Sequence, residues 1–270
     1  MSGRLSWPTI IDAAREWVSA QEYPVSLRQS FYRLVSTGLI PNTTNAYQRL
    51  SELTATARRG GEFPDYSDST RAIRRQRSWA GVAEFAVDVP GWFGLDRTEG
   101  QPDQVIVGVE KRGMEAAALR LFSARGWRVI ALGGFASTTI TQQIGRLIEE
   151  DGRPSALIYA GDFDASGEDI LRDFTTKVPF DQVVKAALTL DQVREFGLPE
   201  NPGKATDSRS VAFAEKWAVD MQVEVDALDP AELDRLLTDA AAPFWDMSRF
   251  REVVARESAM RTRIRSALAS

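Results

Sequence analysis

The 270-residue chain contains no cysteine and no histidine. These absences exclude thiol nucleophiles, Ser-His catalytic triads, zinc fingers and every metal site built on histidine. Any catalysis must therefore use carboxylates, hydroxyl groups, lysine, arginine or a bound metal. A metal in this chain must be a hard cation that accepts oxygen ligands, such as Mg²⁺, Mn²⁺ or Ca²⁺.

The chain also lacks a long apolar segment. No run approaches the ~18 residues that a membrane-spanning helix needs. The N-terminal stretch MSGRLSWPTIIDAAREW lacks the pattern of a signal peptide. We therefore expect a cytoplasmic protein with no membrane partner. With 43% hydrophobic residues the chain can form a substantial core, and its length fits one large or two modest domains.

Charge is distributed unevenly along the chain. Residues 1–80 contain 11 Arg, no Lys and 7 acidic residues, whereas residues 81–270 contain 22 basic and 31 acidic residues. A basic N-terminal part joined to an acidic remainder is typical of a DNA-facing module attached to a metal-binding one. Ordinary variation of surface charge gives the same pattern, so charge alone leaves both interpretations open.

The N-terminal part predicts three short helices. The stretch WPTIIDAAREWVSA has apolar residues at helical spacing. A second helix is expected from Ser26 to Gly38, and a third is expected to start at Asn42 or Thr43. The turn-rich stretch EFPDYSDSTRAIRR then suits a β-hairpin wing. Three short helices and a wing predict a winged-helix DNA-binding domain over residues 1–87.

The pattern changes after a stretch that is rich in Gly, Pro and Asp. Residues 88–103, DVPGWFGLDRTEGQPD, predict a linker. Strand-like stretches then alternate with helical ones, the strands being QVIVGVE, WRVIALGG, SALIYAGDFD and QVVKAALTL. This alternation predicts an α/β fold with a mostly parallel sheet. Because residues 230–268 have helical patterns again, residues 104–270 are expected to form an α/β domain with a helical C-terminal extension.

Acidic residues follow two of the predicted strands. Glu110 follows VIVGV, and Asp162 and Asp164 follow ALIYA. Ligands of open α/β sheets bind at the carboxyl ends of the strands, and side chains two residues apart on a strand share a face. Three carboxylates at one point repel each other unless a cation binds them. The sequence therefore predicts a site for Mg²⁺, or Mn²⁺, on these three residues, with Gly161 and Gly167 allowing tight turns around them.

The alternative is that these acids are charges at the start of a helix, where Asp and Glu are common. This alternative explains Glu168 and Asp169, which follow a potential helix cap at Ser166. It explains Asp162 and Asp164 less well because they precede that cap. The metal interpretation is therefore favoured for the latter two.

The order of these motifs resembles the Toprim domain of topoisomerases, bacterial primases, OLD-type nucleases and some repair proteins. The matching stretches are VGVEK, GGFAS and GDFDASGEDI. The resemblance implies that Glu110, Asp162 and Asp164 bind Mg²⁺, and that Glu110 also serves as an acid or base. Lys111 matches a lysine that often follows the glutamate in one branch of the family, and we expect it to contact DNA.

The stretch VSLRQSFYRLVSTGLI resembles the R-D-x-[FY]-Y motif of the topoisomerase VI A subunit and its meiotic double-strand-break relatives. The resemblance implies that Tyr32 is the nucleophile and that Arg28 is the arginine of the motif, whereas Gln29 replaces its aspartate. The stretches LTLDQVREFGLPENPGKATDSRS and VEVDALDPAELDRLL resemble the C-terminal part of the same family. The likeness covers nearly the whole chain, which is short for a full A subunit and resembles most the compact standalone A-like proteins of phages and mobile elements.

Helix geometry supports a functional position for Tyr32. At ~100° per residue, Tyr32 lies roughly 110° from the centre of the apolar stripe and Arg28 lies one turn before it. A guanidinium there favours the phenolate or binds a phosphate. A tyrosine with a packed ring and a hydrated hydroxyl is the alternative, and Tyr47 and Tyr66 are rival candidates without a paired aromatic. The stripe comprises Leu27, Phe31, Leu34 and Val35.

The resemblance implies Mg²⁺-dependent cleavage of double-stranded DNA by transesterification, with a covalent 5′-phosphotyrosine intermediate. It also implies a homodimer in which Tyr32 and the acids of one chain serve opposite halves of a composite site. The alternatives are a hydrolytic Toprim nuclease and a non-catalytic DNA-binding protein. Because the chain has no GxxxxGK[ST] motif, ATP-driven strand passage would need a separate B-like ATPase subunit.

Arginines of the third helix and of the segment after it are expected to contact DNA phosphates, although a solvated helix face has a similar composition. These residues are Arg49, Arg58, Arg59, Arg71, Arg74, Arg75 and Arg77.

Overall fold

The computed structural model of the chain describes residues 6–22, 25–67, 76–202, 208–219 and 221–269. The N-terminal part begins with three helices, α1 (Trp7–Ser19), α2 (Leu27–Ser36) and α3 (Thr44–Arg59). Ser26 and Gln29 cap α2 reciprocally, because each side chain accepts a hydrogen bond from the backbone N–H of the other residue. The helices therefore lie where the sequence predicts them.

The wing of the expected winged-helix domain is not shown. Residues 62–67 and 76–81 contain no β-strand, and residues 68–75 lie outside the described part of the chain. What the structure shows here is a group of three helices followed by an irregular segment.

The first part of the expected linker is helical. Helix α4 (Val82–Trp92) includes residues 88–92 and contains Pro90. Proline near the end of a helix removes one backbone hydrogen bond without preventing the turns before it. The rings of Trp79, Phe85 and Trp92 contact one another at centroid distances of 5.0–5.4 Å. Glycine and proline content indicated a break in the pattern here but did not reveal this apolar cluster.

A four-stranded parallel sheet forms the centre of the molecule, with the strand order β2-β1-β3-β4. Helices lie between successive strands, as the alternating pattern predicts. The elements in chain order are β1 (Gln104–Val109), α5 (Arg112–Phe122), β2 (Arg128–Ala131), α6 (Thr138–Asp151), β3 (Ser155–Ala160), α7 (Ala165–Lys177) and β4 (Gln182–Ala187).

The C-terminal part is mainly helical, which confirms the expectation for residues 230–268. Its longest helix has 23 residues and carries charged side chains along its length. No helix in the described ranges is both long and apolar enough to cross a membrane. The elements are α8 (Leu190–Glu195), β5 (Asn201–Pro202), α9 (Ser208–Trp217), β6 (Met221–Gln222), α10 (Pro230–Ala241) and α11 (Met247–Ala269).

The sheet is buried on both faces. On β1, Val105, Val107 and Val109 belong to one core, whereas Ile106 belongs to a second core with the buried side chains of α6 and α7. Strands covered on both faces have continuous apolar sequences, and this is why QVIVGV and SALIYA show no alternation. The first core also includes buried residues of α1, α2 and α3, so the N-terminal helices and the sheet are joined by one hydrophobic core.

Candidate functional site

The carboxyl ends of the two central strands bring Glu110 and Asp162 together. Glu110 follows β1, and its backbone N–H donates to the carbonyl of Ala160, 2.9 Å away on β3. The backbone N–H of Asp162 in turn donates to Oε2 of Glu110 at 2.8 Å. The convergence that the sequence predicts for these two residues is therefore observed.

Gly161 and Gly167 leave space for this contact. Neither glycine has a positive φ, so the turn geometry expected from the sequence is not what requires them. A Cβ at position 161 would lie 2.8 Å from Oε2 of Glu110, and a Cβ at position 167 would lie 2.5 Å from the carbonyl oxygen of Asp162. Both glycines are required by close approach of neighbouring atoms.

Asp164 caps helix α7. Its Oδ1 accepts a hydrogen bond from the backbone N–H of Gly167 at 2.7 Å. The expectation that Ser166 caps this helix is wrong, because the helix starts at Ala165 and aspartate is at least as good an N-cap as serine. Asp164 therefore has a structural function in addition to the predicted metal-binding one.

Three carboxylates surround the ammonium group of Lys111. Its Nζ lies 3.1 Å from Oδ1 of Asp162, 2.7 Å from Oε2 of Glu224 and 3.5 Å from Oδ2 of Asp226. The same Oδ1 of Asp162 accepts a hydrogen bond from the backbone N–H of Val225 at 2.9 Å. Lys111, which the sequence predicted to contact DNA, is thus engaged inside the protein.

The acids at the strand ends carry more negative charge than Lys111 neutralises. Burial and the charges of Asp162 and Asp164 raise the pKa of Glu110 to about 7, although the backbone hydrogen bond from Asp162 and the charge of Lys111 oppose this. Burial also raises the pKa of Asp162, despite the nearby charge of Lys111. An excess of buried negative charge is the environment in which a divalent cation binds.

The ligand atoms are therefore of the type that the implied cation prefers, but their arrangement in the structure is not that of a complete metal-binding site. No group of three or more acidic side chains within the described ranges is arranged to hold a metal ion, since Glu110, Asp162 and Asp164 each contact a backbone N–H instead. The fit lies in the chemistry of the ligands. All are hard oxygen donors, and the buried hydroxyl of Tyr159, which has no hydrogen-bond partner among the described residues, lies near Glu110.

Tyr32 is buried next to Arg28. The residue is 5% exposed, and its ring packs against Phe31 with the centroids 5.5 Å apart and lies 5.8 Å from the guanidinium of Arg28. Arg28 is the neighbour that helix geometry predicts. The ring is part of the hydrophobic core, which its position on the flank of the helix did not require. Ideal helix geometry places Tyr32 on the flank of α2, and the segment Val225–Ala227 also packs on this helix.

Arg28 connects Tyr32 to the acids. Its guanidinium forms an ion pair with Glu224 and lies 3.7 Å from Oδ2 of Asp226. Burial and the charge of Glu224 raise the pKa of Tyr32, and Arg28 offsets them only in part. The phenol is therefore protonated at neutral pH and needs a proton acceptor before it can attack.

These contacts form one continuous network within a single chain. The network runs from Tyr32 through Arg28, Glu224 and Lys111 to Asp162. Three side chains therefore connect the nucleophile candidate to Asp162 of the same chain.

Sequence reasoning missed Glu224 and Asp226. The signal was present in VEVDA, where apolar and acidic residues alternate as in an exposed extended segment. Val223, Val225 and Ala227 are buried, so the two acids between them are directed to the other side, toward Lys111. The sequence does not show which cations that side would meet.

A cleft opens beside Tyr32. It has a volume of about 300 Å³, and its lining includes Arg28, Tyr32, Thr43, Tyr47 and Asn201. The first turn of α3, capped by Thr43, borders it. Backbone N–H groups at a helix N-terminus and an arginine are both suited to a phosphate group.

The rival tyrosines have packing contacts of their own. The Tyr66 hydroxyl donates a hydrogen bond to Oγ of Ser30 at 3.1 Å, and its ring lies 5.2 Å from the guanidinium of Arg58. Tyr47 packs edge-on against Phe31 at a centroid distance of 5.2 Å.

The arginines predicted to contact DNA fall into two places. Arg49 and Arg59 lie on α3, where they contact Glu52 and Thr56 of the same helix at 3.2 and 3.1 Å. Arg58 lies on the same helix over Tyr66, whereas Arg77 lies 5.6 Å from the ring centre of Trp92 near α4. The remaining three, Arg71, Arg74 and Arg75, lie outside the described residues.

No protein-family model matches this chain, and no curated protein matches it either. The functional assignment therefore depends on the residues and geometry described above.

Proposed function

We propose that this protein cleaves double-stranded DNA by Mg²⁺-dependent transesterification, with Tyr32 as the nucleophile. The observation that carries the proposal is the network that joins Tyr32 to Asp162 through Arg28, Glu224 and Lys111. A buried tyrosine that serves only for packing needs no such connection to a set of acids at the strand ends.

The residues around Tyr32 supply a balanced first step. The carboxylate of Glu224 accepts the phenolic proton, and the Tyr32 oxygen then attacks a backbone phosphorus. The P–O bond to the 3′ oxygen breaks, and that oxygen takes a proton from solvent. The product is a 5′-phosphotyrosine bond and a free 3′ hydroxyl. In the structure Arg28 is paired with Glu224. When Glu224 takes the proton it loses its negative charge, and Arg28 is then placed to bind the scissile phosphate.

Glu110, Asp162 and Asp164 would hold the cation. When bound, Mg²⁺ supplies positive charge that stabilises the phosphate during its displacement. Lys111 keeps Asp162 and Glu224 close to one another. The hydrogen bond from the Asp162 backbone fixes the direction of the Glu110 carboxylate.

The wider assignment follows the family resemblance. It comprises a winged-helix-like N-terminal part, a Toprim-like sheet, an activity like that of the topoisomerase VI A subunit, a homodimer that cuts both strands and a separate ATPase subunit for strand passage. The cleft beside Tyr32 supports a DNA backbone contact, because Arg28 and the first turn of α3 border it. The exposed arginines of α3 would extend this contact.

A hydrolytic nuclease is the second candidate. The observation that favours it is the burial of Tyr32, whose ring is only 5% exposed. In that case the acids at the strand ends activate water and Tyr32 serves for packing.

Plasmid cleavage separates the two candidates. Supercoiled DNA is incubated with the protein and Mg²⁺, the reaction is stopped with detergent, and the products are separated with and without protease treatment. Transesterification predicts breaks that carry protein and that disappear in Tyr32→Phe but persist in the matched control Tyr66→Phe. Protein-free ends that persist in Tyr32→Phe would establish hydrolysis, and no breaks with any variant would indicate a binding protein.

A further inference from the structure

Tyr159 is a fully buried polar residue whose hydroxyl the fold does not explain. It lies on β3 with an exposed fraction of 0%, and its hydroxyl has no hydrogen-bond partner among the described residues. Burying a hydroxyl without a partner costs free energy relative to burying a phenyl ring. Phenylalanine would fill the same core, so the hydroxyl points to a ligand that the protein alone does not provide.

Two glycines make room for the Tyr159 ring beside the acids. A Cβ at position 108 would lie 3.1 Å from Cδ2 of Tyr159, so the ring passes over Gly108 of the neighbouring strand. A Cβ at position 161 would lie 2.8 Å from both the Tyr159 hydroxyl and Oε2 of Glu110. The hydroxyl and the Glu110 carboxylate therefore face each other across Gly161.

The hydroxyl is surrounded by acidic groups. Burial and the charges of Glu110, Asp162 and Asp164 all raise the pKa of Tyr159. Oε2 of Glu110 already accepts the backbone N–H of Asp162. A hydroxyl that has no hydrogen-bond partner among the described residues thus stands next to a group of oxygen ligands.

We propose that Tyr159 is a positioning residue for the divalent cation of this site, and that its hydroxyl oxygen accepts a hydrogen bond from a water molecule bound to the cation. Mg²⁺ keeps several water molecules when a protein binds it through one or two carboxylates. Because the oxygen of such a water faces the cation, the water donates hydrogen bonds to the surrounding side chains, and these acceptors orient the bound ion. The inference rests on the cation site of the proposed function but not on Tyr32 as the nucleophile.

The proposal predicts two effects of opposite sign for Tyr159→Phe. The metal-free variant is at least as stable as the wild type, because it loses a buried hydroxyl that has no partner. Its affinity for Mg²⁺ falls by roughly 10-fold, as for other residues that orient a metal through its ligands. If Tyr159 served only for packing, its replacement by phenylalanine would leave the affinity for Mg²⁺ unchanged.

The experiment titrates the metal-free full-length protein with MgCl₂ in a calorimeter and measures thermal unfolding with and without Mg²⁺. Glu110→Gln removes a predicted ligand, and Tyr66→Phe removes a hydroxyl that does have a partner, Ser30. The expected result is weaker Mg²⁺ binding in Tyr159→Phe without loss of metal-free stability, and unchanged Mg²⁺ binding in Tyr66→Phe.

Mg²⁺ affinity in Tyr159→Phe within 2-fold of the wild type, together with its loss in Glu110→Gln, would overturn the inference and leave the cation site intact. Absence of saturable Mg²⁺ binding in the wild type would overturn the cation site itself and the inference with it. Neither result depends on the formation of a covalent DNA adduct. Whether Tyr32 is the nucleophile is therefore tested independently of this inference.

Discussion

Arg28 and Glu224 form an ion pair that joins the helix of Tyr32 to the segment beside Asp162. The two residues are far apart in sequence, and neither is fully buried. The pair places a cation and a carboxylate near the Tyr32 phenol, whose pKa both groups affect. The chemistry proposed for Tyr32 depends on this arrangement.

Replacing Glu224 tests the proton acceptor. Glu224→Gln keeps the shape of the side chain but cannot take the phenolic proton, so we expect the rate of covalent adduct formation to fall by about 100-fold or more. The residual rate should rise with pH, because solvent must then remove the proton. The measurement is single-turnover adduct formation between pH 6 and 9, with DNA binding followed by fluorescence anisotropy.

Asp226→Asn is the matched control for Glu224, because it removes a carboxylate that also contacts Lys111 and Arg28. We expect this variant to keep the pH profile of the wild type. A Glu224→Gln variant that forms the adduct faster than the wild type would show that Glu224 instead holds Arg28 away from the phosphate.

Gly161→Ala tests the close approach at the strand ends. The new methyl group would lie 2.8 Å from Oε2 of Glu110 and 2.7 Å from Cε1 of Tyr159. Overpacking of this kind costs about 1–3 kcal/mol of the free energy of unfolding, and displacement of Glu110 should also weaken Mg²⁺ binding. Urea unfolding and calorimetry measure the two effects.

The control for this substitution is Gly145→Ala in helix α6, where a Cβ meets nothing within 4 Å. Removing a glycine from a helix interior stabilises it by roughly 0.5–1 kcal/mol. Equal destabilisation of both variants would mean that close packing around Gly161 is not the cause of the lost stability.

The raised pKa of Glu110 predicts a pH dependence of stability in the metal-free protein. Folding raises this pKa from 4.5 to about 7, so between these values the folded state binds the proton more tightly than the unfolded state. The contribution of Glu110 to stability is therefore present in full below pH 4.5 and is lost as pH rises through 7.

The comparison that isolates this contribution is wild type against Glu110→Gln, unfolded in urea at pH 5, 6, 7 and 8. The difference between their free energies of unfolding should move against the wild type as pH rises, and Mg²⁺ should reverse the change at pH 8. A difference that is constant with pH would mean that Glu110 has an ordinary pKa.

Replacing Glu257 tests whether this residue holds the segment after α4, around Leu95 and Arg97, in place. Its carboxylate is 3% exposed, pairs with Arg97 at 2.7 Å and Arg261 at 2.9 Å, and accepts the backbone N–H of Leu95. Glu257→Gln breaks a buried charge network, and we expect a loss of about 3 kcal/mol. The exposed Glu252 on the same helix gives the control Glu252→Gln, which should be close to neutral in the same urea experiment.

Local sequence patterns predicted the parts of this protein that depend on neighbouring residues. The strand QVIVGV, the capped helix at Ser26 and the position of Glu110 at a strand end all follow from periodicity and capping. The rule for parallel sheets predicts that the carboxyl ends of β1 and β3 lie at the same edge of the sheet, and the structure adds that these two strands are direct neighbours.

The remaining features depend on contacts between distant segments. The segment around Val225 packs on the helix of Tyr32, and the charges around Lys111 come from Asp162, Glu224 and Asp226. Helical spacing defines which face a residue occupies but not which segment covers that face. The cap at Asp164 was missed for a different reason, since Asp164 and Ser166 are both good caps and only the backbone shows where the helix starts.

The most direct test of the account is the chemical identity of the DNA–protein bond. Detergent-trapped reactions with Mg²⁺ and linear duplex DNA are digested with nuclease and then with a protease, and the peptides are analysed by mass spectrometry. The account predicts a peptide in which Tyr32 carries a 5′-linked nucleotide, absent from Tyr32→Phe. Cleaved DNA with no nucleotide on Tyr32, or with the nucleotide on Tyr47 or Tyr66, would contradict it.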